Sequence, residues 1–178
     1  GTTADLVIGL QLTHAGRFAK PNCNDRMQPR TAQRNALLDS RCGITDDSAL
    51  FSDDEINALI EDFVNAACLA EQAGFQFVDI KHCHGYLGHE LLSSFDRPGK
   101  FGGSFENRTR FLREIVEGIR SRASSLEIGV RISVFDFFPF TPGLDRVGIP
   151  QKNGDPRLLF GGDSSGVGID LCEPTKFL

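Results

Sequence analysis

Three short segments concentrate apolar residues in the way that buried β-strands do. They span residues 6–12 (LVIGLQL), 75–81 (FQFVDIK) and 127–133 (EIGVRIS). Each segment has the length of a strand and is rich in β-branched or aromatic residues. Polar residues alternate with the apolar ones, which predicts strands with one apolar face and one mixed face.

Two longer segments repeat their apolar residues at helical spacing. These segments predict helices over about 53–73 and 105–122. Ser52 is a favourable N-cap for the first helix, and Glu55 three residues later completes a capping box. Gly74 stands where a helix commonly ends in a left-handed residue.

The predicted elements alternate as strand, helix, strand, helix, strand, which favours an α/β fold with a parallel sheet. Two long stretches, 18–51 and 134–170, lack periodicity and follow strand ends. Loops of this length are usually functional or disordered. The second stretch contains GGDSSGVG (161–168), which superficially suggests a phosphate cradle. It follows no convincing strand, so a solvated insertion is favoured.

The mixed face of the predicted sheet carries polar side chains near the carboxyl ends of its strands. Gln11, Lys81 and Arg131 share this face by alternation. In a (β/α)8 barrel it would point into the barrel interior, whose upper rim holds the active site. An alternative is a structural ion-pair network in which Asp79 and Glu127 neutralise the two cations.

A cluster of titratable residues follows the second strand directly. Asp79, His82 and His84 could bind a metal ion. Alternatively, His84 and Tyr86, the only tyrosine of the chain, could hydrogen-bond a substrate. The abundance of donors at this rim suits an electron-rich heterocycle and a carbonyl substrate better than a cation, so no metal site is favoured. His82 and His89 are expected to be loop or surface residues.

Charge and cysteine usage narrow the function classes further. The formal net charge of −5 and the lack of a Lys/Arg run argue against a nucleic-acid partner or an anionic membrane surface. No segment is long and apolar enough to predict a membrane span. The five cysteines form an odd set without a CxxC pair, which favours reduced thiols in the cytoplasm.

At five segments the sequence resembles the Old Yellow Enzyme family, FMN-dependent NAD(P)H:flavin oxidoreductases with a (β/α)8 barrel. The segments follow the family's order and cover most of residues 6–133. They are Gln11–Arg17 (QLTHAGR), Ala73–Ile80 (AGFQFVDI), His84–Leu87 (HGYL), Gly102–Phe111 (GGSFENRTRF) and Val130–Ser133 (VRIS).

This resemblance implies a partial (β/α)8 TIM barrel, an incomplete flavin-binding domain over 1–178 with its core at 6–133. The strands would be about the third to the fifth of eight. FMN would be the cofactor and NAD(P)H the reductant, and hydride would pass through the flavin to an activated alkene or a related small-molecule acceptor. The family's flavin-phosphate loops follow later strands, so the chain is expected to be an internal fragment that binds FMN poorly and is inactive alone. A homo-oligomer is a possible assembly that the sequence leaves open.

Carried over by position, five residues acquire expected roles. Gln11 would contact the pyrimidine edge of the flavin, and Arg131 would lie near flavin N1 and the C2 carbonyl. His84 would hold the electron-withdrawing group of the acceptor, and Tyr86 would be the proton donor. Lys81 stands where the family usually has histidine, and its ammonium could stabilise an oxyanion or the reduced flavin.

Six other residues of the matching motifs are expected to be structural, in loop anchoring, capping and helix pairing. They are His14, Arg17, Ser104, Glu106, Asn107 and Arg108. Two rival functions stay open. One is a metal-dependent barrel hydrolase that uses Asp79, His82 and His84, and the other is a non-catalytic segment that only inherits the motifs.

Overall fold

A computed structural model describes residues 5–22, 24–151 and 153–178 of the chain. Its regular elements, in chain order, are β1 (Gly9–Leu12), α1 (Ala36–Cys42), α2 (Asp53–Gln72), β2 (Phe77–His82), α3 (Leu87–Leu92), α4 (Phe105–Arg122), β3 (Glu127–Ile132), β4 (Phe140–Pro142), β5 (Gly148–Pro150) and α5 (Cys172–Phe177). Short 3₁₀ turns at 16–18, 47–49 and 156–158 complete the list.

The main sheet is parallel and has the strand order β1–β2–β3, which confirms the predicted α/β class. All three predicted strands are present. The first begins at Gly9 rather than at Leu6, because its pairing starts where Gly9 lies opposite Phe77, the first residue of β2. The residues before Gly9 therefore lie beyond the amino end of the neighbouring strand.

Both predicted long helices form, and their caps explain their positions. The Ser52 hydroxyl accepts from the Glu55 N–H at 3.2 Å, and the Glu55 carboxylate accepts from the Ser52 N–H at 2.8 Å. These two bonds satisfy amide groups that the first turn would otherwise leave unpaired. At the far end, Gly74 has a φ of 87°, the left-handed conformation that glycine adopts without strain.

The core lies between one face of the sheet and the helices α2 and α4. Alternation sends Leu12, Val78 and Ile80 to this face, where all three are buried. The helices contribute their apolar stripes, which include the following fully or nearly fully buried residues: Ile56, Ile60, Phe63, Val64, Ala67, Phe111, Leu112, Ile115 and Ile119. The helices thus cover one side of the sheet, and the mixed side carries Gln11, Asp79 and Arg131.

The two stretches without periodicity contain more structure than the sequence predicts. Residues 18–51 include α1. Asn35 caps this helix by accepting from the N–H of Leu37 at 3.1 Å, and Gly43 follows its last residue. Residues 134–170 include the antiparallel hairpin of β4 and β5. A seven-residue helix and three-residue strands are too short to show a period in the sequence.

The segment GGDSSGVG is held together by its own aspartate. Asp163 accepts from the N–H of Ser165 at 2.8 Å, from its hydroxyl at 2.5 Å and from the N–H of Gly168 at 3.2 Å. The Ser165 hydrogen bonds are the leading reason why the pKa of Asp163 is lowered. Amide groups that a phosphate would need are therefore already bound to a carboxylate, which favours the solvated insertion.

Cys42, Cys68, Cys83 and Cys172 are free thiols, and Cys23 lies outside the described residues. Cys68 packs against the core, as expected of a small apolar side chain. Within the described part of the chain, no helix combines the length and the apolar character that a membrane crossing requires.

Candidate functional site

Polar side chains of all three parallel strands meet on the face that the helices leave uncovered. The Gln11 amide donates to Asp79 Oδ2 at 2.6 Å. The Arg131 guanidinium lies 3.7 Å from the same oxygen. Asp79 therefore links β1, β2 and β3, and the two residues proposed to hold a flavin lie on one face, as alternation predicts.

Lys81 lies at the carboxyl end of this face, opposite Arg131 in the pairing of β2 with β3. Its ammonium does not join the Asp79 cluster. Instead, Lys81 Nζ lies 3.6 Å from the centre of the Tyr86 ring, a cation–π contact. The structure thus brings the only tyrosine of the chain against Lys81.

A tight turn carries the chain from β2 to Tyr86. His84 and Gly85 both have a left-handed backbone, with φ values of 61° and 67°. The His84 N–H donates to the Ser133 hydroxyl at 3.2 Å, which ties the turn to the end of β3. A positive φ is unusual for a residue with a side chain and recurs at functional sites. The turn leaves the His84 side chain exposed at the rim.

The helix α3 begins immediately after Tyr86 and is fixed by a buried ion-pair network. Arg17 donates through Nε to Glu90 of α3, through Nη1 to Asp39 at 2.9 Å and through Nη2 to Thr31 at 3.1 Å. The Thr31 hydroxyl also donates to Glu90. We call Arg17, Thr31, Asp39 and Glu90 the α3 anchor.

The α3 anchor lies almost entirely out of solvent. Arg17 and Thr31 are fully buried. Burial raises the pKa of Glu90, and the positive charge of Arg17 offsets only part of this rise. Arg17 has the structural role that the sequence predicts, whereas the roles of Asp39 and Glu90 are not predicted. The available signal was weak: Glu90 is a lone acid in an apolar run, which indicates a buried partner.

The backbone of the QLTHAGR motif also holds the start of α3. The Leu87 N–H donates to the carbonyl oxygen of His14 at 3.3 Å. The Gly16 N–H donates to His14 Nδ1 at 3.1 Å, and Gly16 has a φ of 61°. A Cβ at Gly16 would lie 2.9 Å from the Leu87 nitrogen. The motif therefore places Tyr86 through close backbone contact.

The GGSFENRTRF motif has a structural environment as well. Ser104 caps α4 by accepting from the Asn107 N–H at 3.3 Å, and the Asn107 amide donates to the Gly102 carbonyl at 3.0 Å. Arg108 is buried, donates to the Leu92 carbonyl and lies 3.7 Å from the Phe95 ring centre. These contacts join α4 to the end of α3, in agreement with the structural interpretation.

The expectation that His82 and His89 are loop or surface residues is wrong. Both are buried, with 1% and 4% of their surface exposed. His82 is the last residue of β2, and alternation sends its ring to the helix side, 5.7 Å from the Phe111 ring centre. His89 lies in α3, where its Nδ1 accepts from the Gly85 N–H at 3.0 Å.

This arrangement argues against the metal-site alternative. Asp79 and His82 lie on opposite faces of β2, so they cannot bind the same ion. Among residues 5–22, 24–151 and 153–178, no group of three His, Cys, Asp or Glu side chains is placed to hold a metal.

A cavity of about 270 Å³ adjoins His84. Its walls combine apolar side chains, among them Phe18, Phe137 and Phe138, with polar ones such as His89 and Asp136. Phe18 also lies near Tyr86, with 6.3 Å between the ring centres. The rim therefore borders a space in which the apolar part of a small molecule could lie.

The sequence profile of a family described as "NADH:flavin oxidoreductase / NADH oxidase" matches residues 3–151. The chain belongs to this flavin oxidoreductase family. The match includes the residues of β1, β2 and β3 and therefore the polar face described above.

Individual relatives agree with this family assignment. The chain is 32% identical over 164 residues to 12-oxophytodienoate reductase 1 of Oryza sativa subsp. japonica, an alignment that covers 85% of the chain and 42% of that reductase. It is 35% identical over 135 residues to NADPH dehydrogenase of Bacillus subtilis (strain 168), over 73% of the chain and 36% of the dehydrogenase.

A solved structure supports the same relationship. The crystal structure of Old Yellow Enzyme from Pichia sp. AKU4542 is similar with a TM-score of 0.59 and 26% identity, over 79% of this chain and 39% of that one. The chain thus spans about two fifths of the length of the relatives it matches.

Proposed function

We propose that the chain is the part of an FMN-dependent oxidoreductase that binds the flavin ring and carries the proton donor. In this proposal β1, β2 and β3 are about the third to the fifth strands of a (β/α)8 barrel. The main support for this proposal is that Gln11, Asp79 and Arg131 meet on the sheet face that the helices leave uncovered. In a barrel this face would be the interior.

The residues of this face fit a flavin chemically. The Gln11 amide offers a donor and an acceptor, and Arg131 offers only donors, which together match the carbonyl and nitrogen groups of a pyrimidine edge. Gly129 lies on β3, two residues before Arg131 and opposite Asp79, where a Cβ would contact Val78 and Asp79 at 3.7 and 3.9 Å. The absence of that side chain leaves room on this face beside Asp79.

When bound, FMN would accept a hydride from NAD(P)H and deliver it to the β carbon of an activated alkene. The residues of the chain would complete the reaction. Tyr86 would give its phenolic proton to the α carbon of the acceptor. His84 would donate to the electron-withdrawing group, where negative charge develops. Lys81 would add positive charge beside Tyr86, and the proton on Tyr86 would be restored from water.

The experiment uses the full-length protein and compares Tyr86→Phe with the unaltered protein. We expect the variant to bind flavin and to oxidise NAD(P)H at an unchanged rate, and to reduce 2-cyclohexenone at least about tenfold more slowly, because general acid catalysis typically contributes 10²–10⁴-fold. Ser125→Ala, which removes an exposed hydroxyl bonded to Glu71, is the control.

Two results would reject the proposal. If the purified full-length protein contained no flavin, FMN could not be its cofactor as proposed. Unchanged behaviour of both Tyr86→Phe and His84→Ala would favour the non-catalytic alternative. The expected poor flavin binding of the 178-residue chain is tested separately, by comparing its flavin content with that of the full-length protein.

The proposal includes a compartment and a class of partner. A small-molecule acceptor is the expected partner, because the cavity beside His84 has a volume of about 270 Å³. We place the protein in the cytoplasm, on the ground that Cys42, Cys68, Cys83 and Cys172 are free thiols. Localisation of a tagged full-length protein tests this part.

A further inference from the structure

Asp79 contacts both of the residues that are proposed to hold the flavin. It lies directly opposite Gln11 in the pairing of β1 with β2, and its Oδ2 accepts from the Gln11 amide at 2.6 Å. The Nη2 atom of Arg131 lies 3.7 Å from the same oxygen. Gly129 is opposite Asp79 on β3, so no side chain at that position separates the carboxylate from the guanidinium. The proposed function gives this central carboxylate no role.

The hydrogen bond from Gln11 holds the Asp79 carboxylate in place without using the group that a flavin needs. A carboxylate only accepts hydrogen bonds, so the amide must turn its nitrogen toward Asp79. The amide oxygen then lies on the other side, where it can accept from the N3–H of the pyrimidine edge. Gln11 can therefore bind a flavin and keep its bond to Asp79 at the same time.

The contact between Asp79 and Arg131 is electrostatic. A separation of 3.7 Å is too long for a hydrogen bond, but opposite charges attract strongly at this distance. The arginine therefore keeps its donors for a ligand, while the carboxylate offsets part of its charge. Reduction of FMN by two electrons and one proton leaves a negative charge near N1 and the C2 carbonyl. A cation beside that end favours the reduced flavin, and an anion next to the cation opposes this effect.

We propose that Asp79 is a positioning residue that lowers the reduction potential of the bound flavin by offsetting the charge of Arg131. This inference rests on the proposed function, which assigns Gln11 and Arg131 to the flavin. Asp79 acts through Arg131 rather than by touching the flavin. A purely structural ion pair would instead have the arginine donate to the carboxylate at about 2.7–2.9 Å.

The test measures the midpoint potential of the flavin in the full-length protein by spectroscopic titration against a reference dye. Asp79→Asn removes the charge of the side chain and keeps its size. We expect this variant to raise the equilibrium constant for two-electron reduction at least about tenfold, an upward shift of about 30 mV. Asp79→Glu keeps the charge and should keep the potential of the unaltered protein.

A second variant covers the case in which Asp79→Asn does not retain flavin. Asp79→Ser also removes the charge, and its hydroxyl can still accept from Gln11. We expect the same upward shift of the potential. Loss of flavin by both variants would show that Asp79 is needed for the integrity of the site, and it would reject the inference.

A matched control is Glu127→Gln, which removes the same charge from the same face. Glu127 is the exposed first residue of β3, four residues before Arg131, and alternation places both on one face. Four residues of a strand span about 13 Å, which exceeds the screening length in physiological salt. We expect this variant to leave the midpoint potential unchanged.

Three results would overturn the inference: an unchanged or lower potential in Asp79→Asn, an equal rise in Asp79→Glu, or an equal rise in Glu127→Gln. The titration contains no alkene acceptor, so it is independent of turnover. An enzyme that contains flavin and reduces 2-cyclohexenone through Tyr86, but keeps its potential in Asp79→Asn, would retain the proposed function and reject this inference. A full-length protein without flavin would reject the proposed function itself.

Discussion

Burial of His82 predicts a loss of stability in mild acid. The imidazole is 1% exposed and packs against Phe111, and its Nδ1 has no hydrogen-bond partner among the described residues. A Cβ at Gly88 would lie 2.6 Å from the ring, so the glycine provides the space for it. Burial, with a smaller effect of nearby His89, lowers the pKa of His82 to about 3 from its ordinary 6.5.

The direction of the effect follows from these two pKa values. Below pH 6.5 the unfolded chain protonates His82, and the folded chain keeps it neutral until about pH 3. Unfolding therefore takes up a proton, and stability falls as the pH falls through this window. Each pH unit costs about 1.4 kcal/mol, so this one group should remove about 2 kcal/mol between pH 7.5 and pH 5.

The assay compares urea unfolding at pH 7.5 and pH 5 for three proteins. We expect His82→Gln, which has no titratable group, to lose about 2 kcal/mol less than the unaltered protein over this interval. The control is His84→Asn, since His84 is exposed and asparagine tolerates a positive φ. It should retain the full dependence on pH.

The same slope for His82→Gln and the unaltered protein would refute the reasoning. It would mean that His82 is protonated in the folded state near its ordinary pKa. A reduced slope in His84→Asn alone would assign the effect to the rim instead of the buried ring.

Three further predictions concern the folded scaffold, each measured as the urea unfolding free energy at pH 7.5. Arg17→Met should destabilise by about 3–5 kcal/mol, because it leaves the buried Glu90 carboxylate without a cation, whereas Asp39 keeps its ion pair with Arg34; a loss below 1 kcal/mol would contradict the network. Ser52→Ala should lower the free energy of unfolding by about 1 kcal/mol, because the N-cap of α2 is lost. An unchanged value would contradict the stabilising role of the cap. Gly16→Ala should lower the free energy of unfolding more than Gly74→Ala does. Both glycines have a positive φ, but only a Cβ at Gly16 would meet backbone, 2.9 Å from the Leu87 nitrogen. Equal losses for the two variants would argue against the close contact.

The long helices and the sheet could be predicted because their signals are local. The capping box at Ser52 and the apolar stripe define α2 within one residue at its end, and α4 begins and ends as predicted at 105 and 122. The alternation within each strand also predicts that Gln11 and Arg131 share a face, and both contact Asp79.

The missed features depend on contacts between distant residues. The six residues of α3 are too few for a period, and Arg17 bonds to Glu90 across 73 positions of the chain. The sequence does not predict the burial of His82, because a polar residue after an apolar strand resembles the start of a loop, whereas His82 continues the alternation into the core. The contact of Lys81 with Tyr86 depends on the left-handed turn at His84, which the sequence pattern does not encode.

The α3 anchor has a consequence for altering this protein. A helix of six residues has no stability of its own, so the position of the Tyr86 phenol is set by Arg17, Thr31 and Asp39. All three residues belong to the long segment between β1 and α2, remote in the chain from the phenol they orient. Substitutions in that segment should therefore shift the Tyr86 ring, while every residue at the rim keeps its identity.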